Sequence, residues 1–231
     1  MKRNKSIVIS YMHLRTLIGV LGILLPFVCV FGSLPYNGFV VQDSISMHYY
    51  TNMRDVFVGI LIGVALFLMT YKGYERIDNV VTNLTGAFAI GIACFPCINP
   101  EWTDPVSLLV LPNSVTNIIH TLSALSFFSL LAANSIWIFT KSSHPVEKNS
   151  RKYRRNQLFV ACGAAIFASI GILIPVTVFT SDAFRKESRI TLVLEIVMLV
   201  AFGVSWLVKG GAILPDLKTS PEEVGADSPE N

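Results

Sequence analysis

The sequence predicts an all-α protein of the polytopic membrane class, a six-helix bundle with both termini in the cytoplasm. Three observations carry that prediction. Hydrophobic residues make up 52% of the 231 and charged residues only 14%, with a mean hydropathy of +0.58. A soluble surface needs nearer about a quarter charged residues. The charges are confined to short segments between six apolar runs, each approaching the ~20 residues that carry a helix across ~30 Å of hydrocarbon. Finally, lysine and arginine are divided very unequally between alternate connections, which sets orientation.

The expected spans are Thr16–Leu34, Asp55–Lys72, Asn79–Cys97, Ser114–Thr140, Gln157–Thr180 and Ser188–Val208. The first follows the basic start MKRNK but is too long for a signal peptide and lacks a small-x-small cleavage site, so it is expected to remain as an uncleaved span. The fourth exceeds the hydrocarbon thickness and should tilt or project. Fourteen lysines and arginines lie at the N-terminus, in the second and fourth connections and in the C-tail, against four in the first, third and fifth connections. That places both termini in the cytoplasm of a cell (plasma or inner) membrane. Residues 1–210 form one transmembrane domain. Residues 211–231, rich in Pro, Glu, Asp, Ser and Gly, are expected to be a disordered cytoplasmic tail.

Packing in lipid relies on close approach of small residues. Gly59-x-x-x-Gly63 in the second span supplies such a face, as do Ala87/Gly91 in the third and Ala161/Ala165 in the fifth. The glycine pair is expected to bind its own neighbours, and the same motif would also serve a homo-oligomer. Pro26 and Pro175 should kink their helices, and Pro96 should help end the third. A net charge of +3 without a basic groove leaves out a nucleic-acid partner. The basic run 148–155 instead suits anionic lipid, and membrane lipids are the expected partners.

Chemistry should gather in the first connection, where Ser44, Ser46, His48, Tyr49, Tyr50, Arg54 and Asp55 fall within a dozen residues at the outer mouth. The fourth and sixth spans also enter from outside. His120 then lies roughly 9 Å, and Glu195 roughly 10 Å, below their helix starts at about 1.5 Å per residue. An intramembrane acid is expensive and faces a partner. His120 and Arg54 are the candidates, and a plain clasp between helices is the alternative to a reactive group. The catalytic candidates are therefore His48, Asp55, His120 and Glu195. By ligand type, His48, His120, Asp55 and one of Asp104 or Glu195 would suit zinc, although no short ligand spacing announces it. Interfacial anchoring serves as well: Tyr49 and Tyr50 as belt aromatics, and Arg54 with Asp55 at a helix start.

Cys94-Phe-Pro-Cys97 is a CxxC at the outer end of the third span, where a thiol oxidoreductase would place one. Cys29 and Cys162 do not make a second relay pair, so the alternative is buried thiols packing as small residues. No Walker loop, dinucleotide fingerprint, nucleophile elbow or HExxH is present. The expected function is an outward pocket that binds or senses a lipid or small amphiphile. The alternatives are a metal-dependent lipid hydrolase at the same pocket and a small-molecule or proton-coupled transporter.

YYTNMRDVFVG, TYKGYERIDN, TGAFAIGIACFP and HTLSALSFFSLLAANSIWIF resemble segments of uncharacterised bacterial six-span proteins. In hydropathy that group is similar to the DRAM and FGF-receptor-activating-protein families. The resemblance covers nearly all of residues 12–210 and implies a six-helix bundle whose third span ends in Phe-Pro; it implies no reaction. Ser44-x3-His48 with Asp55 also resembles the first motifs of alkaline-ceramidase and adiponectin-receptor-type transmembrane zinc hydrolases. The late His-x3-His of those proteins has no counterpart, because the sixth span contains no histidine.

Overall fold

A computed structural model of the chain describes residues 5–36, 38–73, 75–102, 107, 109–142 and 145–215, which are helices and connections without a strand. In chain order the helices are α1 (Lys5–Ser33), α2 (Arg54–Thr70), α3 (Arg76–Cys94), α4 (Asn113–Ala133), α5 (Arg151–Phe179), α6 (Asp182–Ser188) and α7 (Ile190–Lys209). A 3-10 turn covers Ser46–Tyr50, and a π turn, Asn134–Ile138, continues α4.

Five helical stretches are long and apolar enough to cross a membrane: Tyr11–Ser33, Arg76–Cys94, Asn113–Ile138, Arg151–Phe179 and Ile190–Lys209. The protein is accordingly membrane-embedded by the length and composition of its helices. Its exposed large apolar residues, among them Phe31, Leu122, Ile174, Val178 and Val193, would be a liability in water but suit hydrocarbon. The second expected span, Asp55–Lys72, is also a helix, α2, but has 17 residues. At about 1.5 Å per residue it is shorter than the ~30 Å core.

Several boundaries shift for local reasons. α3 starts at Arg76 because Glu75 and Asp78 form a reciprocal capping box, which satisfies two amides that helix geometry leaves open. It stops at Cys94, since Phe95, preceding Pro96, is extended (φ −123°, ψ 100°). α5 starts at Arg151, where Ser150 caps it by accepting from the Tyr153 amide. Much of the basic run is therefore helix rather than loop. α6 was not foreseen. It ends in the left-handed Arg189 (φ 53°), which turns the chain into α7. Pro26 and Pro175 lie within continuous helices. Of the expected disordered tail, residues 216–231 lie outside the described residues.

α1 packs on α2 and α7, α2 on α3, α3 on α4, α4 on α5, and α5 on α7, so that neighbours close a circuit. The close approaches use glycines, though not the expected pair. A methyl group on Gly203 would sit 2.6 Å from the Gly19 carbonyl oxygen, and one on Gly19 would sit 2.7 Å from that of Gly203. Gly86 approaches the Ala65 carbonyl in the same way, at 2.7 Å. Gly59, by contrast, faces open space, and Gly63 meets only Leu21, at 4.0 Å. The GxxxG of α2 is thus not the packing seam the motif suggested. Polar glue supplements the glycines: Ser135 in the π turn donates to the Phe159 carbonyl (2.8 Å) and accepts from Ser205 (2.7 Å), which ties α4, α5 and α7 together.

Candidate functional site

The first connection folds back over the ends of α3, α4 and α7, and its shape follows from short local bonds. Ser44 accepts from the Met47 amide (3.1 Å), so the chain turns into the 3-10 segment. Thr51 closes that segment by donating to the His48 carbonyl (2.9 Å). Arg189 forms an ion pair with Asp43, which fastens the start of this segment to the start of α7.

Two of the candidate groups, buried His120 and half-buried Glu195, meet at one dipeptide. Glu195 on α7 accepts the Ile45 amide on its Oε2 at 2.5 Å. His120 on α4 holds Ser46 at 3.1 Å through Nε2, while its Nδ1 lies 2.7 Å from the Phe95 carbonyl. A carbonyl only accepts, so Nδ1 carries a proton; in the neutral ring Nε2 is then the acceptor, and the Ser46 hydroxyl donates to it. The Phe95 carbonyl has this role because Pro96 ends α3 just before it, which leaves that oxygen outside the helical ladder. Ser46 and Glu195 form the polar end of a small cavity, about 30 Å³, whose other walls include Leu25, Phe57, Ile92, Phe127 and Leu199. That volume admits a water or two and no acyl chain.

The other candidates are placed elsewhere. His48 is fully buried, and its Nδ1 lies 3.1 Å from the carbonyl of Ile45, in its own turn. Its Nε2 is buried without a partner among the described residues. Asp55 is exposed in the first turn of α2, where a negative charge favours the helix dipole. Asp104 lies outside the described residues. Among those described, no three His, Cys, Asp or Glu side chains converge to hold a metal. Of the residues grouped for zinc, His48, His120 and Glu195 bond to backbone and serine instead. Cys94 and Cys97 are free thiols, as are Cys29 and Cys162, and Cys97 lies 3.7 Å from the sulfur of Met47.

Beside the clasp lies an open cleft of about 130 Å³ lined by Tyr49, Tyr50, Thr51, Arg54 and Trp102. Its rings are set edge-to-face or tilted: Tyr49 and Tyr50 are 5.7 Å apart between centroids, and Tyr50 and Trp102 are 5.6 Å apart. The Arg54 guanidinium stands 4.5 Å above the Tyr49 ring and also donates to its hydroxyl. Tyr50 is fixed by donating to the Cys97 carbonyl at 2.6 Å. Burial pushes its phenol up to about 12, so it stays a donor at physiological pH. Thr51 and, in the third connection, Trp102 are the lining residues that sequence reasoning missed; apart from Trp102 being an interfacial aromatic, no local pattern points to them.

Burial holds His48 below the ordinary histidine range, against the opposing pull of its bonds to the Ile45 and Ser44 backbone. The native ring stays neutral while the unfolded one takes up a proton near pH ~6.5. The unfolded state therefore binds more protons, and stability should fall as pH drops through that range. His48→Gln, which cannot charge, is expected to flatten the acid limb between about pH 7 and 5 in thermal unfolding. An unchanged slope would mean that His48 does not contribute to it.

Comparison with known proteins adds nothing to this geometry: no family model, curated protein or solved structure matches the chain.

Proposed function

We propose that the chain spans the membrane six times with both termini cytoplasmic, and that its outer mouth binds the headgroup of a lipid or small amphiphile. Support for the topology comes from the fourteen-to-four division of lysine and arginine. α2 is included as the sixth span because it packs along α3 and α1, and helices of about 17 residues fall at the short end of what crosses a bilayer.

The cleft at Tyr49, Tyr50, Arg54 and Trp102 carries the functional reading. Sites for whole drug-sized ligands have volumes of roughly 300–1,000 Å³. This cleft takes only a headgroup, and the tail must lie along the bilayer. The aromatic faces attract an ammonium group and the guanidinium attracts a phosphate. A zwitterionic headgroup satisfies both. The Glu195 and His120 bonds hold the floor of the cleft in register with α4 and α7, which is what a binding site needs from its support.

A hydrolytic reading rests on one observation, the Ser46–His120 hydrogen bond, which has the polarity of a nucleophile and its base. The Ile45 amide beside that serine would be the natural oxyanion donor. It is already occupied by the Glu195 carboxylate, whose charge opposes a developing oxyanion. Binding is the better account.

Calorimetric titration of the full chain in neutral detergent with monomeric dihexanoylphosphatidylcholine tests the proposal. Saturable binding is expected, weakened about fivefold to tenfold by Trp102→Ala and by Arg54→Gln, the equivalent of about 1 kcal/mol each. Affinity that neither variant alters would place the headgroup elsewhere.

A further inference from the structure

At the opposite end of the molecule, the start of α5, the end of α7 and the part of α1 beside them bring like charges together. Gly19 and Gly203 press α1 against α7, and a methyl group on Gly210 would meet the Thr16 hydroxyl oxygen at 2.7 Å. Arg15, ten residues into α1, and Lys209, the last residue of α7, are brought near each other as a result. Both rest on one aromatic ladder. The Arg15 guanidinium lies 5.2 Å from the Tyr71 ring centroid, and the Lys209 ammonium 4.8 Å from that of Phe139. Between them, Tyr71 and Phe139 each pack edge-on against buried Trp206, at 5.3 and 5.2 Å.

α5 adds two more cations. Lys152, which also donates to the Lys141 carbonyl at 3.2 Å, and Arg155, three residues apart on one face, join Arg15 as positive charges acting on Lys209, while Asp78 is the carboxylate acting on it. Their neighbours on the helix are directed elsewhere: Arg151 donates to the Pro215 carbonyl, and Arg154 is exposed. Lys141 is taken up by Glu75 at 2.6 Å and Asp78 at 3.6 Å. The Arg15 Nε is buried with no hydrogen-bond partner among the described residues. A buried guanidinium N–H without an acceptor is costly, and cations gathered at the edge of a low-dielectric bundle repel one another. One ligand chemistry relieves both costs.

We infer that Arg15, Lys152, Arg155 and Lys209 form a binding site for a phosphate-bearing anion, held between α1, α5 and α7. This differs from general attraction of anionic lipid to the 148–155 run: Lys152 and Arg155 of that run take part, Lys148, Arg151 and Arg154 are exposed and do not, and half of the site lies on other helices. The phosphate can belong to an anionic lipid headgroup, since basic pockets between helices at the cytoplasmic face hold such groups, or to a soluble anion.

The full chain carrying both Trp102→Ala and Arg54→Gln, which together remove the cation-binding ring and the guanidinium of the outer mouth, is titrated in neutral detergent micelles. The probes are monomeric dioctanoylphosphatidylglycerol, its phosphatidylcholine counterpart and inorganic phosphate. Saturable binding of the phosphatidylglycerol, at least about tenfold tighter than the phosphatidylcholine, is expected for a lipid site. Binding of inorganic phosphate with equal affinity assigns the site to a soluble anion and upholds its chemistry. Lys209→Gln and Arg155→Gln should each weaken binding about fivefold to tenfold, while Arg154→Gln, which removes the same charge from the same helix, should change it less than about twofold. Equal losses from Arg154→Gln and Arg155→Gln would reveal a diffuse field and overturn the site. So would failure of both anions to bind. Should a cluster variant fail to fold, the selectivity among the three probes decides without it.

Discussion

Glu195→Ala is expected to detach the first connection from α7 and to lower the stability of the whole protein. Ile45 is 2% exposed, so its amide has no water to turn to when the carboxylate is removed. Hydrogen bonds to charged groups are worth about 1.5–3 kcal/mol, and an orphaned buried donor loses that and its solvation as well. Glu195→Gln keeps a carbonyl oxygen at the same reach and should retain most of the stability. Two measurements check this: the unfolding midpoint in detergent, and hydrogen exchange of the amides at residues 44–47. Alanine should accelerate that exchange strongly and glutamine little. If both variants behave alike, or if the exchange of those amides does not respond, Glu195 is not the clasp.

The effect should extend to the mouth. Tyr49 and Tyr50 belong to the 3-10 turn that begins at Ser46, and Glu195 and His120 hold the turn's first residues. Loosening Ile45 therefore disturbs two walls of the cleft without touching its lining. Headgroup binding should weaken in Glu195→Ala more than in Glu195→Gln.

How much of this was legible beforehand depended on whether the cause was local. The apolar runs located five spanning helices and α2 and placed their C-terminal ends within a few residues, since hydropathy is summed over a whole helix. However, α1 and α5 begin well before the expected Thr16 and Gln157, at Lys5 and Arg151. Helical rise placed His120 and Glu195 at a common depth, and they do meet one dipeptide. Their partners were not legible. They bond to a serine hydroxyl and to backbone groups of Ile45 and Phe95, and backbone atoms carry no sequence signature. Only the proline after Phe95 hinted that a carbonyl there would be free. The cationic end was hidden for a different reason. Arg15, Arg155 and Lys209 are separated by whole helices, and the packing of α1 and α5 on α7 brings them together. The ranking of glycine motifs failed likewise, because a GxxxG on one helix does not say which face its neighbours occupy.

Gly203→Leu tests that last point and is expected to cost the most of any glycine substitution in the bundle. Its side chain would run into the Gly19 carbonyl, 2.6 Å from where its first carbon must sit, and into Ile23 beyond it. Both obstacles are part of the α1 backbone or are held by it, so α1 and α7 must separate. Overpacking of this kind costs about 1–3 kcal/mol. Gly203 and Phe202 are buried at this contact, and Trp206 lies one turn further along α7. Separation would therefore also unseat the aromatic ladder that carries Arg15 and Lys209, so phosphatidylglycerol binding should fall with stability. Gly59→Leu is the matched comparison, a substitution of the same size in the motif that looked stronger in sequence. With nothing within 4 Å of the new carbon, it should shift stability by no more than about 0.5 kcal/mol. Unfolding midpoints of the two variants decide. A larger loss for Gly59→Leu than for Gly203→Leu would mean that the open face of α2 is covered by a second copy of the chain, and mass measurement in detergent would then find the dimer that Gly59→Leu dissolves.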